Sequence, residues 1–167
     1  LHRVDRRQRQ MCIRDSLKVP QDPTYLQPLK SPSPQSDASA MESAALYIID
    51  EMEDDTIYIV GSGTTTAQIM QELGLEHTIL GVDIIKDRQL LVKDAAEKEI
   101  IEAIDGESKV KLIITPMGGQ GYIFGRGNQQ LSANVLRRLT RQDVIIIATP
   151  NKLLTIGSNP FLVYTLD

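Results

Sequence analysis

The stretch that decides the fold is Ile57-Tyr58-Ile59-Val60-Gly61-Ser62-Gly63-Thr64-Thr65-Thr66-Ala67-Gln68-Ile69-Met70. A short run of β-branched and aromatic residues meets two glycines, and three threonines then open an amphipathic segment. This order predicts a strand, a tight turn and a helix. Glycine lets a ligand approach the main chain, and the first N–H groups of a helix lie unpaired at the positive end of its dipole. The stretch therefore predicts either a phosphate-binding turn or a plain βα turn with a Ser or Thr N-cap.

Length, net charge and cysteine count exclude several classes of protein. The chain has 167 residues, a formal net charge of −4 and a single cysteine, Cys12. This length suits one domain with its own core, and the absence of a basic face outside the first 16 residues argues against a nucleic-acid partner. One cysteine allows neither a disulfide framework nor a cysteine-based zinc site, which favours a reducing compartment such as the cytoplasm. No apolar run approaches the roughly 20 residues that span a bilayer, so no membrane partner is expected.

Two N-terminal segments differ from the rest of the chain. Residues 1–16 (LHRVDRRQRQMCIRDS) are rich in arginine and resemble translated sequencing-adapter read-through, so we interpret them as a non-native tail. The alternative is a basic arm for nucleic acid or an acidic partner. Residues 17–39 carry five prolines, which predicts an extended linker. Residues 40–167 are predicted to form the folded domain, and we expect the sequence to be truncated at its C-terminus.

Strands and helices alternate along residues 40–167, which predicts an α/β fold with a mainly parallel sheet flanked by helices. Helices are predicted over residues 40–52, 66–73, 94–104 and 133–139, with a short helix or turn at 151–156. Strands are predicted over residues 56–60, 109–115, 143–148 and 160–165. An apolar run at 77–85, a turn at 86–89 and a strand at 90–92 predict a β-hairpin excursion.

Asp83 lies inside the apolar run of that hairpin. A buried acid is costly unless it has a partner. Asp83 is therefore a candidate ligand for magnesium or for a ribose hydroxyl, and the alternative is a water-facing residue beyond the end of the strand.

The most unusual segment is Met117-Gly118-Gly119-Gln120-Gly121-Tyr122-Ile123-Phe124-Gly125-Arg126-Gly127-Asn128-Gln129-Gln130. Glycines at this density cost conformational entropy on folding, so we expect a backbone wrapped closely around a ligand. Arg126 can donate two parallel hydrogen bonds to phosphate oxygens, and Gln120, Asn128 and Gln129 suit a base or a sugar. A flexible surface loop is the alternative.

Two Thr-Pro pairs indicate where these segments meet. Thr115-Pro116 and Thr149-Pro150 each close an apolar strand, and ligands of open α/β sheets bind outside the carboxyl ends of strands. Residues 61–66 and 118–129 are therefore predicted to share one edge with Thr149-Pro150. Outside residues 1–16 the only histidine is His77, so no Ser-His-acid set is available, and no cluster has metal-ligand spacing. We assign no catalytic residue and no protein metal site, and chemistry would rest on positioning and electrostatics.

From residue 40 to its end the chain resembles the C-terminal part of the ATP-NAD kinase family. The closer resemblance is to the long bacterial and archaeal branch that includes the acetoin-catabolism X protein. The residues that carry it are Tyr58-Ile59-Val60-Gly61-Ser62-Gly63-Thr64-Thr65, Leu80-Gly81-Val82-Asp83 and Thr115-Pro116-Met117-Gly118-Gly119-Gln120-Gly121-Tyr122-Ile123-Phe124-Gly125-Arg126-Gly127-Asn128-Gln129.

The resemblance implies a kinase that transfers a phosphoryl group from ATP, or from polyphosphate, to the 2′-hydroxyl of NAD to give NADP, with Mg2+. The predicted nucleotide-binding residues are Gly61, Ser62, Gly63, Thr64, Thr65, Asp83, Gly118, Gly119, Gln120, Gly121, Arg126, Gly127, Asn128 and Gln129. The family's Gly-Gly-Asp-Gly-Thr segment, which supplies the catalytic aspartate, normally lies in an N-terminal domain and is not in this sequence. We therefore expect that missing domain as a partner and an inactive fragment without it, and we leave a homo-oligomer open. The alternative function is a non-catalytic phosphosugar- or nucleotide-sensing domain that uses the same turn.

Overall fold

The computed structural model describes residues 37–117, 121–125, 127–157 and 161–163. The predicted tail at 1–16 and most of the predicted linker, residues 17–36, lie outside this part of the chain. In chain order the elements are α1 (Ala38–Asp50), β1 (Ile57–Val60), α2 (Thr64–Glu72), β2 (Asp83–Lys86), β3 (Gln89–Val92), α3 (Glu97–Ile104), β4 (Val110–Ile114), β5 (Tyr122–Phe124), α4 (Ala133–Leu136), a 3-10 turn (Arg141–Asp143), β6 (Val144–Ile146), α5 (Pro150–Ile156) and β7 (Leu162–Val163).

Five strands form one sheet in the order β3-β2-β1-β4-β6. β1, β4 and β6 run parallel to one another. β2 runs antiparallel to both β1 and β3, and Asp87 and Arg88 turn the chain between them with φ values of 51° and 58°. The predicted α/β fold, with a parallel core and a hairpin excursion, is confirmed.

Alternate residues of the central strands face two separate cores. In β1, Ile57 and Ile59 lie in one apolar cluster and Tyr58 and Val60 in the other. Side chains of α3 and α4 complete the first cluster, and side chains of α1 and α2 complete the second. All four residues of β1 are buried, as expected for a strand covered on both faces. Helices therefore flank the sheet on both sides.

Several boundaries differ from the prediction for local reasons. α3 begins at residue 97 instead of 94, because the Glu99 carboxylate accepts a hydrogen bond from the Ala96 amide (2.8 Å) and fixes the first turn there. α1 begins at Ala38, two residues before the predicted start of this helix. α4 ends at Leu136, three residues before its predicted end.

The glycine-rich segment contains a strand that the sequence does not predict. β5 pairs in parallel with β7 in a separate two-stranded sheet. The pairing joins residues about 40 positions apart, and no local pattern reports a contact over that separation. Within the described ranges, no helix has the length and apolar character needed to cross a membrane.

Candidate functional site

The parallel strands end at one edge of the sheet. β1 runs into Gly61, β4 runs into Thr115, and β6 leads within three residues to Thr149. The registers pair Val60 with Ile113, and Ile114 with Ile146, so these ends are level. The two strands that lead to the Thr-Pro pairs therefore end at the same edge, as expected, and this edge is where open α/β sheets bind ligands.

Three amides of the turn between β1 and α2 donate hydrogen bonds to other parts of the chain. Gly61 N–H donates to the Ile113 carbonyl at 2.8 Å, and Gly63 N–H donates to the Ile79 carbonyl at 2.9 Å. Ser62 N–H donates to Asn128 Oδ1 at 3.1 Å. The amides of residues 64–66 have no acceptor among the described residues, because the first turn of a helix offers them no intrahelical one. They are donors that remain for a ligand.

The two glycine-rich segments meet in space. The Ser62 hydroxyl lies 2.6 Å from the Gly127 carbonyl and 2.8 Å from Asn128 Oδ1. Asn128 is buried, and its amide nitrogen donates to the Ile123 carbonyl at 3.3 Å. One asparagine side chain thus joins the first turn to the second segment and to β5.

Asp83 closes the same edge on the hairpin side. It pairs with Val60 in the sheet register and is only 2% exposed. Its carboxylate accepts hydrogen bonds from the Thr78 amide (2.8 Å), the Thr78 hydroxyl (3.1 Å) and the Asp94 amide (2.9 Å). These bonds account for its burial and hold residues 77–82 as a loop, which is why β2 begins at Asp83 and not at residue 77 as predicted.

Lys152 is a residue of this edge that the sequence analysis missed. Its ammonium donates to Thr65 Oγ1 at 2.8 Å and to Thr115 Oγ1 at 2.7 Å, which links α5 to α2 and to the end of β4. A signal was present in the sequence. A lysine in the first turn of a helix opposes the helix dipole, so its place directly after Thr149-Pro150 indicates another purpose.

The start of α5 is also tied to the start of α1. Asp37 is buried, and its carboxylate accepts hydrogen bonds from the Thr149 hydroxyl (2.7 Å) and from the side-chain amide of Asn151. Thr149 in turn caps α5 by accepting from the Lys152 amide (3.3 Å). Asp37 therefore fixes the helix that carries Lys152.

Ion pairs lie at the edge of the sheet opposite the turn between β1 and α2. At the edge opposite the turn, hydrogen bonds from Lys111 lower the pKa of Glu53, and those from Lys86 lower the pKa of Asp55. The same pairings raise the pKa of both lysines. Among the described residues, no group of three or more His, Cys, Asp or Glu side chains could hold a metal ion.

A cavity of about 590 Å³ lies elsewhere, among residues of β5, β6 and α4. Its lining is mostly apolar and includes Ile123, Phe124, Leu139 and Ile146. It shares no lining residue with the turn after β1.

The described part of the chain places ten of the fourteen predicted binding residues. Ser62 and Gly63 are half-buried, Thr64 is exposed, and Gly61 and Thr65 are buried. In the second segment Gly121 and Asn128 are buried, Gly127 is half-buried and Gln129 is exposed. Asp83 is buried at the start of β2. Gly118, Gly119, Gln120 and Arg126 lie outside the described residues, so their predicted roles stay predictions.

Gln130, next to the predicted residues, carries a buried orphan acceptor. Its Oε1 is the one buried side-chain N or O atom without a hydrogen-bond partner among the described residues. A buried acceptor left unpaired costs about 1–3 kcal/mol. We expect Gln130→Met, which keeps the length of the side chain, to raise the free energy of unfolding by about 1 kcal/mol.

Urea unfolding followed by circular dichroism measures this change. Gln129→Met is the matched control, because Gln129 is exposed and should change stability by less than about 0.5 kcal/mol. A destabilised Gln130→Met protein would mean that the side-chain amide of Gln130 makes a stabilising hydrogen bond in solution.

Comparison with known families supplies the last observation on this site. The family model described as ATP-NAD kinase C-terminal domain matches residues 53–165, which include both glycine-rich segments, Asp83 and Lys152. No curated protein and no solved structure matches the chain.

Proposed function

The chain belongs to the ATP-NAD kinase C-terminal domain family, and from this premise we propose that it is the nucleotide-binding part of an NAD kinase-like enzyme. The reaction would transfer a phosphoryl group from ATP, or from polyphosphate, to the 2′-hydroxyl of NAD and give NADP. A cytoplasmic location, suggested by the single cysteine, belongs to the same proposal.

One observation carries the proposal. The two glycine-rich segments are 66 residues apart in sequence, yet Ser62 and Asn128 are in contact at the carboxyl edge of the parallel strands. A nucleotide needs a phosphate site and polar groups for base and sugar within a short distance of each other. The first turn of α2 offers amides for the phosphate, and the exposed side chains of Thr64 and Gln129 offer polar groups nearby.

The residues present in the chain determine which part of the reaction it could perform, binding or catalysis. Phosphoryl transfer depends on positioning and on stabilising the charge of the transferred group. These residues can bind and orient a nucleotide, whereas the resemblance implies that the catalytic aspartate comes from a Gly-Gly-Asp-Gly-Thr segment that this sequence does not contain. We therefore propose that the chain binds nucleotide but transfers no phosphoryl group without an N-terminal domain that carries that segment.

Magnesium would enter bound to the nucleotide phosphates. The described residues offer no ligand cluster, and the Asp83 oxygens already accept three hydrogen bonds. Asp83 therefore does not fit the part of a magnesium ligand in this arrangement, and we assign no step to a protein-bound ion.

Calorimetric titration of the chain with ATP and with NAD tests the proposal. We expect saturable binding of at least one of them, because the edge described above requires no other domain to assemble. Glucose 6-phosphate is the control ligand. Binding of the sugar phosphate alone would favour a phosphosugar-sensing domain, and binding of none of the three would contradict the nucleotide site.

A further inference from the structure

The cavity of about 590 Å³ lies between the two sheets, away from the turn that follows β1. Its walls include residues of β5 and of β6, and β6 is an edge strand of the five-stranded sheet. No further described strand therefore covers this side of β6. The volume falls within the range of about 300–1,000 Å³ in which proteins hold small molecules. The proposed function assigns no role to this cavity.

Most of the wall is apolar, and part of it is exposed. Ile123, Leu139 and Val144 belong to the first apolar cluster or pack against it, so the cavity lies at the margin of that core. Ile146 and Phe161 are 39% and 37% exposed. Removing such apolar surface from water is favourable, and small-molecule sites are lined in this way. The wall therefore favours a ligand with an apolar body.

Both phenylalanines of the chain line the cavity. The 167 residues include two Phe and no Trp, and Phe124 and Phe161 both belong to the wall. The parallel pairing of β5 with β7 brings them to one place, because Phe161 directly precedes Leu162, which pairs with Tyr122. Aromatic rings attract one another beyond the effect of the area that they bury. Two rings at one cavity, in a chain so poor in aromatic residues, favour an aromatic ligand.

A cation lies on this wall. Among the described lining residues Arg141 is the only charged one, and Thr140 is the only other polar one. Arg88 and Arg138 each pair with an aspartate, whereas within the described part of the chain no acidic side chain pairs with Arg141. Asp143, two residues further on, accepts instead from the Thr140 amide (2.6 Å) and hydroxyl (2.7 Å). The Arg141 guanidinium is therefore available to the oxygens of a carboxylate, sulfonate or phosphate.

We propose that this cavity is a second binding site, and that its ligand is a small aromatic anion. The ring system of the ligand lies against Phe124 and Phe161, and its anionic group binds Arg141. Charge complementarity selects this class over a neutral apolar molecule. The cavity contains none of the predicted nucleotide-binding residues, so this inference can fail without affecting the proposed function.

Fluorescence titration of the full chain with two probes tests the site. 8-Anilinonaphthalene-1-sulfonate is an aromatic anion, and N-phenyl-1-naphthylamine has the same ring system without the charge. We expect the sulfonate to bind saturably, with one molecule per chain, and the neutral probe to bind more weakly. Arg141→Gln should weaken binding of the sulfonate by about threefold to tenfold and leave binding of the neutral probe unchanged.

Phe161→Ala tests the apolar wall. Phe161 is 37% exposed, so its truncation should leave the fold intact, and binding of both probes should weaken by about threefold to tenfold. Arg137→Gln is the matched control for Arg141→Gln. Arg137 is exposed, carries the same charge and does not line the cavity, so this variant should bind both probes as the wild type does.

Three results would overturn the inference. The first is the absence of saturable sulfonate binding to the wild-type chain. The second is an equal loss of both probes in Arg141→Gln, since the guanidinium would then contribute packing and not charge. The third is unchanged sulfonate binding in both Arg141→Gln and Phe161→Ala, because the probe would then bind elsewhere on the chain.

Far-ultraviolet circular dichroism checks that each variant folds. Ile146→Glu replaces either variant that does not, because it adds a negative charge at an exposed position of the wall. It should weaken binding of the sulfonate more than binding of the neutral probe. An equal or opposite effect would also overturn the inference.

Discussion

Replacing Asn128 by alanine is expected to destabilise the chain by about 2–4 kcal/mol. The substitution removes the acceptor of the Ser62 amide and hydroxyl and the donor to the Ile123 carbonyl. Asn128 is only 4% exposed, so water cannot readily replace these partners. Each buried group left unpaired costs about 1–3 kcal/mol, whereas a lost hydrogen bond at the surface costs much less.

Chemical denaturation at pH 7 measures this loss, and two variants calibrate it. Gln129→Ala changes the exposed neighbour and should alter stability by less than about 0.5 kcal/mol. Ser62→Ala removes one hydroxyl and leaves the Ser62 amide bonded to Asn128, so about 1 kcal/mol is expected. If Asn128→Ala were no less stable than Gln129→Ala, the contact between the two segments would not exist in solution.

The elements that the sequence predicted are those with a strong local pattern. The βα turn at residues 57–70 combines a buried strand, two glycines and a helix start. The strand and the glycine turn lie where the pattern places them, and the helix begins at Thr64, two residues before its predicted start. The hairpin has alternating exposure in β3 and a two-residue turn, both of which depend on neighbouring residues. The common edge at which the strands end was predicted from two Thr-Pro pairs and from the general geometry of open α/β sheets.

The features that the sequence did not predict depend on contacts between distant residues. Asn128 was interpreted as a group for a base or sugar, and its binding role stays a prediction. What the structure adds is that its side chain joins two segments 66 residues apart. Lys152 donates to a threonine 87 residues earlier in the chain, and no periodicity reports such a pairing. Even Asp83, correctly expected to need a partner, finds it in a loop that was assigned to a strand.

These contacts explain why the edge is organised before any ligand is present. The amides of the turn at 61–63 bond to three different parts of the chain, so the turn is fixed by β4, by the loop before β2 and by the second glycine-rich segment. A site fixed in this way loses little conformational entropy on binding. The substitutions with the largest effects should therefore be those that disturb the turn itself.

Gly63→Ala is expected to lower the free energy of unfolding by about 3–5 kcal/mol. Gly63 has φ 132° and ψ 159°, a region that residues with a Cβ almost never adopt. The new Cβ would also lie 2.7 Å from Thr115 Cγ2, closer than two carbons can approach without movement. Backbone strain accounts for about 1–3 kcal/mol of the loss and overpacking for a similar amount.

Two further variants separate these contributions in the same denaturation experiment. Gly74→Ala adds a methyl group at φ 68° with no atom within 4 Å, so only the backbone term of about 1–2 kcal/mol should appear. Gly63→Ala combined with Thr115→Ser removes the clashing Cγ2 and keeps the hydroxyl that accepts from Lys152. The double variant should recover about 1–2 kcal/mol relative to Gly63→Ala, since the overpacking is relieved and the strain remains. Equal stability of Gly63→Ala and Gly74→Ala would mean that Thr115 does not lie against the turn, and the site built on that contact would have to be abandoned.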